Sequence, residues 1–362
     1  MKRRDFVLSA LGSTFLGGVS AQNRIPVADA HNHLGLLRRN SDAVYKLGSL
    51  MTEAGVALLS WSVVPDAPFL RFTSNGVEQG RNPGKGDLKA SFNNQLNSAT
   101  SGLLRNGARI LKTASDLDLA ATGEPFVVLN SEGADFLEGS LDDLQHAFDL
   151  GLRHIQLVHY IKNPVGDLQT EKPTYNGLSD FGKQLVAALN ATGILIDLAH
   201  STAPSIDQAL EISSKPMIWS HGYITKGENS WTSKGFTSRA LSEAYAKKIA
   251  AKGGAVGLWA LGPSFGGGLE GYVNELIRMM DIIGPQHVMI GSDEDGLPQG
   301  AVIDQLMDLR KVVDLLLKRG VDEKAVRQVA FDNYARCLRR NLLRGLWRCA
   351  RARCRSASRF EA

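Results

Sequence analysis

Histidine, aspartate and glutamate recur in this 362-residue chain in short clusters, each placed just after a run of apolar residues. His31 and His33 stand two apart in Asp29-Ala30-His31-Asn32-His33. On an extended segment both imidazoles then face the same way, as two rings binding one ion must. Glu132, in Asn130-Ser131-Glu132, offers two oxygens that suit a bridge between ions about 3.5–4 Å apart. His200, ending Asp197-Leu198-Ala199-His200, and His221, after Ser220, complete the donors for a second ion. Neutral imidazoles combined with carboxylate suit zinc, so the expected cofactor is two Zn²⁺ ions with Glu132 bridging. Asp293, in Gly291-Ser292-Asp293, is placed to take a proton from metal-activated water. Asp29 and Asp197 precede ligand histidines and are expected either to orient them or to cap their strands. With His159, which follows Leu157-Val158, five of the eight histidines sit in such positions; His146, His154 and His287 read as surface or packing residues.

The elements that must position these groups are legible as an alternation. Eight short β-branched or apolar runs occur at 25–28, 55–64, 126–130, 154–158, 194–198, 216–220, 255–259 and 287–290. Helical patterns lie between them, at about 41–54, 88–119, 140–150, 179–192, 203–213, 241–252, 269–284 and 302–319. In the last, Ile303, Leu306, Leu309, Val313 and Leu316 share one face, and Gly320 ends it. Alternation of this kind implies parallel strands with right-handed crossovers, and eight units suit a closed (β/α)₈ TIM-type barrel. The clusters then fall at the C-terminal strand ends, where such barrels keep their active sites. No glycine-rich turn of the dinucleotide or Walker type follows the first strand. Residues 65–86 read as a long irregular loop over the barrel mouth.

Composition sets the outer bounds. With 43% hydrophobic and 22% charged residues the chain is globular, and three cysteines exclude a disulfide scaffold. The formal net charge of +4 conceals an acidic body. Lys2, Arg3 and Arg4 open the chain, and nine arginines against Glu361 crowd it from Arg336 onward. Residues 1–21 combine a basic start, a short apolar stretch and small residues before the cleavage point, as in a twin-arginine export signal. The expected organisation is therefore a signal at 1–21, a single metallohydrolase domain at 22–340 and a basic tail at 341–362, frayed from about Arg336. The expected location is outside the cytoplasm, in the periplasm of a Gram-negative cell, reached through the Tat machinery. No membrane span and no nucleic-acid partner are expected, since the latter rests on tail charge alone. Cys337, Cys349 and Cys354 fit no metal-binding spacing.

Five segments carry a family resemblance: His31-Asn32-His33, Ser131-Glu132-Gly133, Ile196-Asp197-Leu198-Ala199-His200, Ser220-His221 and Ile290-Gly291-Ser292-Asp293-Glu294-Asp295-Gly296. In this order they resemble membrane (renal-type) dipeptidase, peptidase family M19 of the amidohydrolase superfamily, over about residues 27–339. The resemblance implies a binuclear zinc hydrolase cleaving dipeptides or similar amides, with a homodimer as the candidate assembly. It assigns His31 and His33 to one zinc, His200 and His221 to the other, and Glu132 to the bridge. It further implies that His159 contacts the substrate carbonyl, that Asp293 is the catalytic acid/base, and that Arg239 binds the substrate carboxylate. Three departures stand out. The family's first motif ends in Asp where this chain has His33. Residues 231–237 lengthen the segment before Arg239. Glu294 replaces a residue that is often aromatic. The alternatives are a lactonase or phosphoesterase of the same superfamily, and an exported metal-binding protein without catalysis.

Overall fold

The computed structural model describes residues 24–36, 46–73, 76–105, 108–225, 239–262, 266–297 and 300–342. The signal at 1–21, residues 231–237, Cys349, Cys354 and the tail beyond residue 342 lie outside these.

Eight parallel strands pair in chain order: Val27–Asn32, Val56–Val63, Phe126–Ser131, Leu152–Gln156, Leu195–Asp197, Ile218–Trp219, Ala255–Leu258 and Val288–Ile290. The last returns to the first. The Asp293 N–H donates to the His31 carbonyl at 3.0 Å and the His33 N–H to the Glu294 carbonyl at 2.9 Å, and Asn32 and Glu294 form a parallel bridge. The result is a nearly closed (β/α)₈ barrel. Both faces of its strands are buried, which is why they read as nearly continuous apolar runs. Crowding inside the barrel also selects glycine: a Cβ at Gly257 or Gly291 would lie 1.8 Å from the Ser220 carbonyl oxygen.

Local signals start and stop the intervening helices. Ser179, Thr202 and Ser242 each accept a backbone N–H of the first turn, at the heads of Asp180–Thr192, Ala203–Ile212 and Glu243–Ala251. Two apolar layers result. One joins the helices to the outer strand faces. The other fills the barrel, where Ala28, Ala30, Leu58, Val128, Ile218 and Met289 meet Phe331, Tyr334 and Leu338 of the C-terminal segment. Among the described residues no helix is long and apolar enough to cross a membrane.

The structure corrects three expectations. The stretch 88–119 is not one helix: Asp87–Arg105 is followed by a short strand, Arg109–Ile110, and a new helix, Ala114–Ala120, begun by a Thr113/Asp116 capping box. The loop 65–86 contains a 3₁₀ turn, Ala67–Phe69, and an antiparallel hairpin, Leu70–Thr73 with Gly76–Gln79. The chain does not fray at Arg336, and Asn341 and Leu342 belong to the fold rather than to a tail. The helix Asn333–Leu342 buries Cys337, Leu338, Asn341 and Leu342 on one stripe, and the Asn341 carbonyl accepts the buried Lys215 Nζ at 2.7 Å.

Candidate active site

The carboxylate of Glu132 is the centre of the polar cluster. Its Oε1 lies 3.4 Å from His31 Nε2, 3.2 Å from His200 Nε2 and 3.5 Å from His221 Nε2. Its Oε2 lies 3.2 Å from His33 Nε2 and 3.4 Å from His159 Nε2. Residues separated by up to 190 positions in the chain thus meet at one carboxyl group. Asp293 stands alongside, its Oδ1 3.4 Å from His33 Nε2 and 4.0 Å from His31 Nε2.

Three of the imidazoles, His33, His221 and His159, are held by the other nitrogen. His33 Nδ1 is 2.9 Å from the Ser62 carbonyl, which can only accept, so Nδ1 carries a hydrogen and Nε2 is the nitrogen turned toward Glu132. His221 Nδ1 meets Ser220 Oγ at 2.8 Å, and His159 Nδ1 meets Asp66 Oδ1 at 2.7 Å. His200 Nδ1 has no partner among the described residues. Backbone strain contributes to the aim. His200 (φ 68°) and Asp293 (φ 57°) both adopt the left-handed region that non-glycine residues rarely enter, at a cost of about 1–2 kcal/mol each. Room is made by Gly296, where a Cβ would stand 2.2 Å from Asp293 Oδ1 and 2.6 Å from the His33 ring.

Electrostatics prepares this set for cations. Burial alone would favour protonating Glu132, but the neighbouring His159 and His31 charges hold its carboxyl well below the usual range. Burial, and then the Arg239 charge, keep the His200 ring neutral; burial and then His31 do the same for His221. Burial disfavours a charged His33, yet hydrogen bonds to Asp293 and Glu132 outweigh it and push the ring up to about 10. Burial likewise opposes charge on His159, and the Asp66 and Glu132 carboxylates overcome it. A cation of either kind, proton or metal ion, is thus favoured between the carboxylates.

The donor set fits metal ions. Two nitrogens bound to one tetrahedral ion at about 2.0–2.1 Å stand about 3.3 Å apart. The His31–His33 Nε2 separation is 3.0 Å and the His200–His221 separation 3.3 Å. Among the described residues, three groups have ligand atoms within 4.8 Å of one another: His31, His33 and Asp293; Glu132, His159 and His200; and His31, Asp197 and His221. All the ligand candidates from the sequence are therefore gathered here, and Asp293 and His159 adjoin them.

Arg239 also arrives. Its guanidinium is buried, with Nη2 3.1 Å from His221 Nε2 and Nη1 3.4 Å from the Gln169 side-chain oxygen. Asp29 and Asp197 act on backbone rather than on ligand rings. Asp29 accepts the His31 and Ser292 N–H groups and the Asn32 side chain, tying the first strand to the last. Asp197 accepts from Ala199 N and Ser220 N and lies 3.4 Å from His154 Nε2. His154 is a packing residue inside the barrel, bonded to Ser60 Oγ and Tyr334 Oη; His146 is exposed. Asp66 was not a candidate in the sequence, because it lies in the stretch read as irregular loop.

The sequence pattern of the membrane dipeptidase family, peptidase family M19, matches residues 20–344. The chain belongs to that family. Among curated relatives, an uncharacterized dipeptidase of Schizosaccharomyces pombe is 27% identical over 54% of this chain and 47% of its own. The dipeptidase verJ of Clonostachys rogersoniana is 26% identical over 63% of this chain and 59% of its own. The chain thus spans about half the length of the curated relatives it matches. The solved structure of the dipeptidase AC, an M19 metallopeptidase, shares the fold with a TM-score of 0.73 at 23% identity, over 88% of this chain and 99% of that one.

Glu294 accepts Asn32 Nδ2 at 2.9 Å, and burial pushes its carboxyl up to about 8. It is then neutral in the fold up to about pH 8 but ionised in the unfolded chain above its ordinary value of 4.5. Between these pH values folding takes up a proton, so stability declines as pH rises. Glu294→Gln keeps the acceptor and removes the titration. It is expected to match the parent near pH 5 and exceed it by about 2–4 kcal/mol at pH 8.5. Urea unfolding at the two pH values measures this, and equal slopes of stability against pH would refute it.

Proposed function

We propose that this protein is an exported, metal-dependent dipeptidase that hydrolyses dipeptides or similar small amides with two zinc ions bridged by Glu132. The observation that carries the proposal is the convergence of five imidazole Nε2 atoms on the two oxygens of Glu132, with Asp293 and Arg239 beside them. His31 and His33 would hold one ion and His200 and His221 the other. Neutral nitrogen donors with a single bridging carboxylate favour zinc over magnesium or calcium, which prefer oxygen. Ions held there would polarise the scissile carbonyl and lower the pKa of water in the pocket.

The remaining work falls to the chain's own side chains. Arg239 offers a planar fork of donors matched to a carboxylate, so it fixes the free C-terminus of a dipeptide and orients the scissile bond. His159 Nε2 lies 3.4 Å from Glu132 Oε2, and an N–H there would hydrogen-bond the oxygen that becomes negative as water adds to the amide carbon. Asp293 accepts the proton released by that water and delivers it to the amine as the carbon–nitrogen bond breaks. Glu132 follows the third strand, and the fourth strand, Leu152–Gln156, holds no lysine to carboxylate as a bridge, which favours the peptidase reading over lactone or phosphoester hydrolysis.

The test is metal analysis of purified protein together with hydrolysis of a panel of L,L- and L,D-dipeptides, a lactone and a phosphotriester. Two zinc equivalents with dipeptide turnover support the proposal. Metal-loaded protein that cleaves only the lactone or phosphotriester would replace the substrate class.

A further inference from the structure

We infer that Asp66 is a positioning residue for this hydrolysis, acting through His159; the inference deepens the dipeptidase reading and rests on it. Asp66 is fully buried three residues beyond the second strand, and its two oxygens are spent on adjacent groups of the loop after the fourth strand. Oδ1 accepts His159 Nδ1–H at 2.7 Å, and Oδ2 accepts the Tyr160 N–H at 3.2 Å. One carboxylate therefore grips both the ring and the backbone that carries it. The first bond fixes Nδ1 as a donor to Asp66 and so turns Nε2 toward Glu132 Oε2, 3.4 Å away. Without that bond the ring is free to rotate about χ2 and to turn Nε2 away from Glu132.

The carboxylate is itself firmly placed. Immediately before it, the Val64 backbone N–H and carbonyl are both bonded to the Gln95 side chain, at 2.9 and 2.7 Å. Immediately after it, the Phe69 N–H closes a 3₁₀ turn onto the Asp66 carbonyl at 2.8 Å. Phe69 then packs with Leu88 and Ile161, so the same turn is pinned to the loop bearing His159. Such a chain of fixed contacts is what holds a reacting ring within a fraction of an ångström of its productive pose.

The test compares Asp66→Asn, Asp66→Ala, His159→Ala and the double variants for kcat, KM and metal content. Asp66→Ala should lower kcat on the order of 10²-fold, with KM within about threefold of the parent and metal content unchanged. In the His159→Ala background the Asp66 changes should cost nothing further, because the ring through which Asp66 acts is gone. A purely structural aspartate would instead add its full penalty there. A second readout needs no turnover: protein labelled with ¹⁵N-histidine should show a His159 Nδ1–H resonance that is absent from His159→Ala and lost in Asp66→Ala. Additive penalties, or persistence of that resonance in Asp66→Ala, would overturn the inference. A parent protein that cleaves no peptide yet shows the Asp66-dependent resonance would sink the dipeptidase reading and leave the positioning contact standing.

Discussion

Replacing Glu132 with glutamine is expected to remove metal and activity together. The substitution keeps the shape of the side chain but discards its charge and turns one acceptor oxygen into an amide donor. Three imidazole nitrogens lie within 3.5 Å of Oε1 and two within 3.4 Å of Oε2. Whichever way the new amide turns, an NH₂ group faces nitrogens that should present lone pairs to an ion. Metal content should fall from the proposed two equivalents to one or none, and kcat/KM by about 10³-fold or more, as expected when several kcal/mol of ion-assisted stabilisation are lost. Stability offers a second reading of the same event. Ligand binding to the folded state alone raises Tm, so a chelator should lower Tm in the parent and leave the glutamine variant nearly unaffected. A Glu132→Gln protein retaining two metal equivalents and a rate within tenfold of the parent would refute the bridging assignment.

What the sequence disclosed depended on how locally each feature is encoded. Most barrel strands are nearly continuous apolar runs because both faces are buried, and those runs marked all eight, although the first lies at Val27–Asn32 rather than 25–28 because its polar end, Asp29 to Asn32, breaks the run. His31 and His33 are legible as a pair because their two-residue spacing on a strand is itself the geometry. The hairpin within 65–86 was hidden by its exposure: Phe72 is 74% exposed, and the partly exposed strands give no clean apolar run. The Asn75-Gly76 dipeptide was the available turn signal. In the C-terminal helix, the apolar stripe of Tyr334, Cys337, Leu338 and Leu342 has helical spacing but is overwritten by arginines on the opposite face. Asp66 is a different case. Its role is defined by a partner 93 positions away, and nothing in Pro65-Asp66-Ala67 distinguishes it from an ordinary turn residue.

Asp293→Asn separates proton transfer from ion holding. The aspartate side chain is aimed by an unusual backbone, with φ at 57° and its N–H donated to the His31 carbonyl, and asparagine is among the few residues that accept that conformation. The variant should therefore fold, and Gly296 leaves the same clearance for an amide as for a carboxylate. An amide cannot take a proton from water and return it to an amine. Turnover should fall by about 10²- to 10⁴-fold while both metal equivalents and the affinity for a dipeptide product are retained. The geometry makes the opposite result informative as well. Asp293 Oδ1 stands 3.4 Å from His33 Nε2, and the three side chains His31, His33 and Asp293 are mutually close enough to share an ion. Loss of one metal equivalent together with the rate would move Asp293 from the acid/base role to the donor set of the first ion. It would also show that a third side chain, just beyond the last strand, joins His31 and His33 in holding that ion.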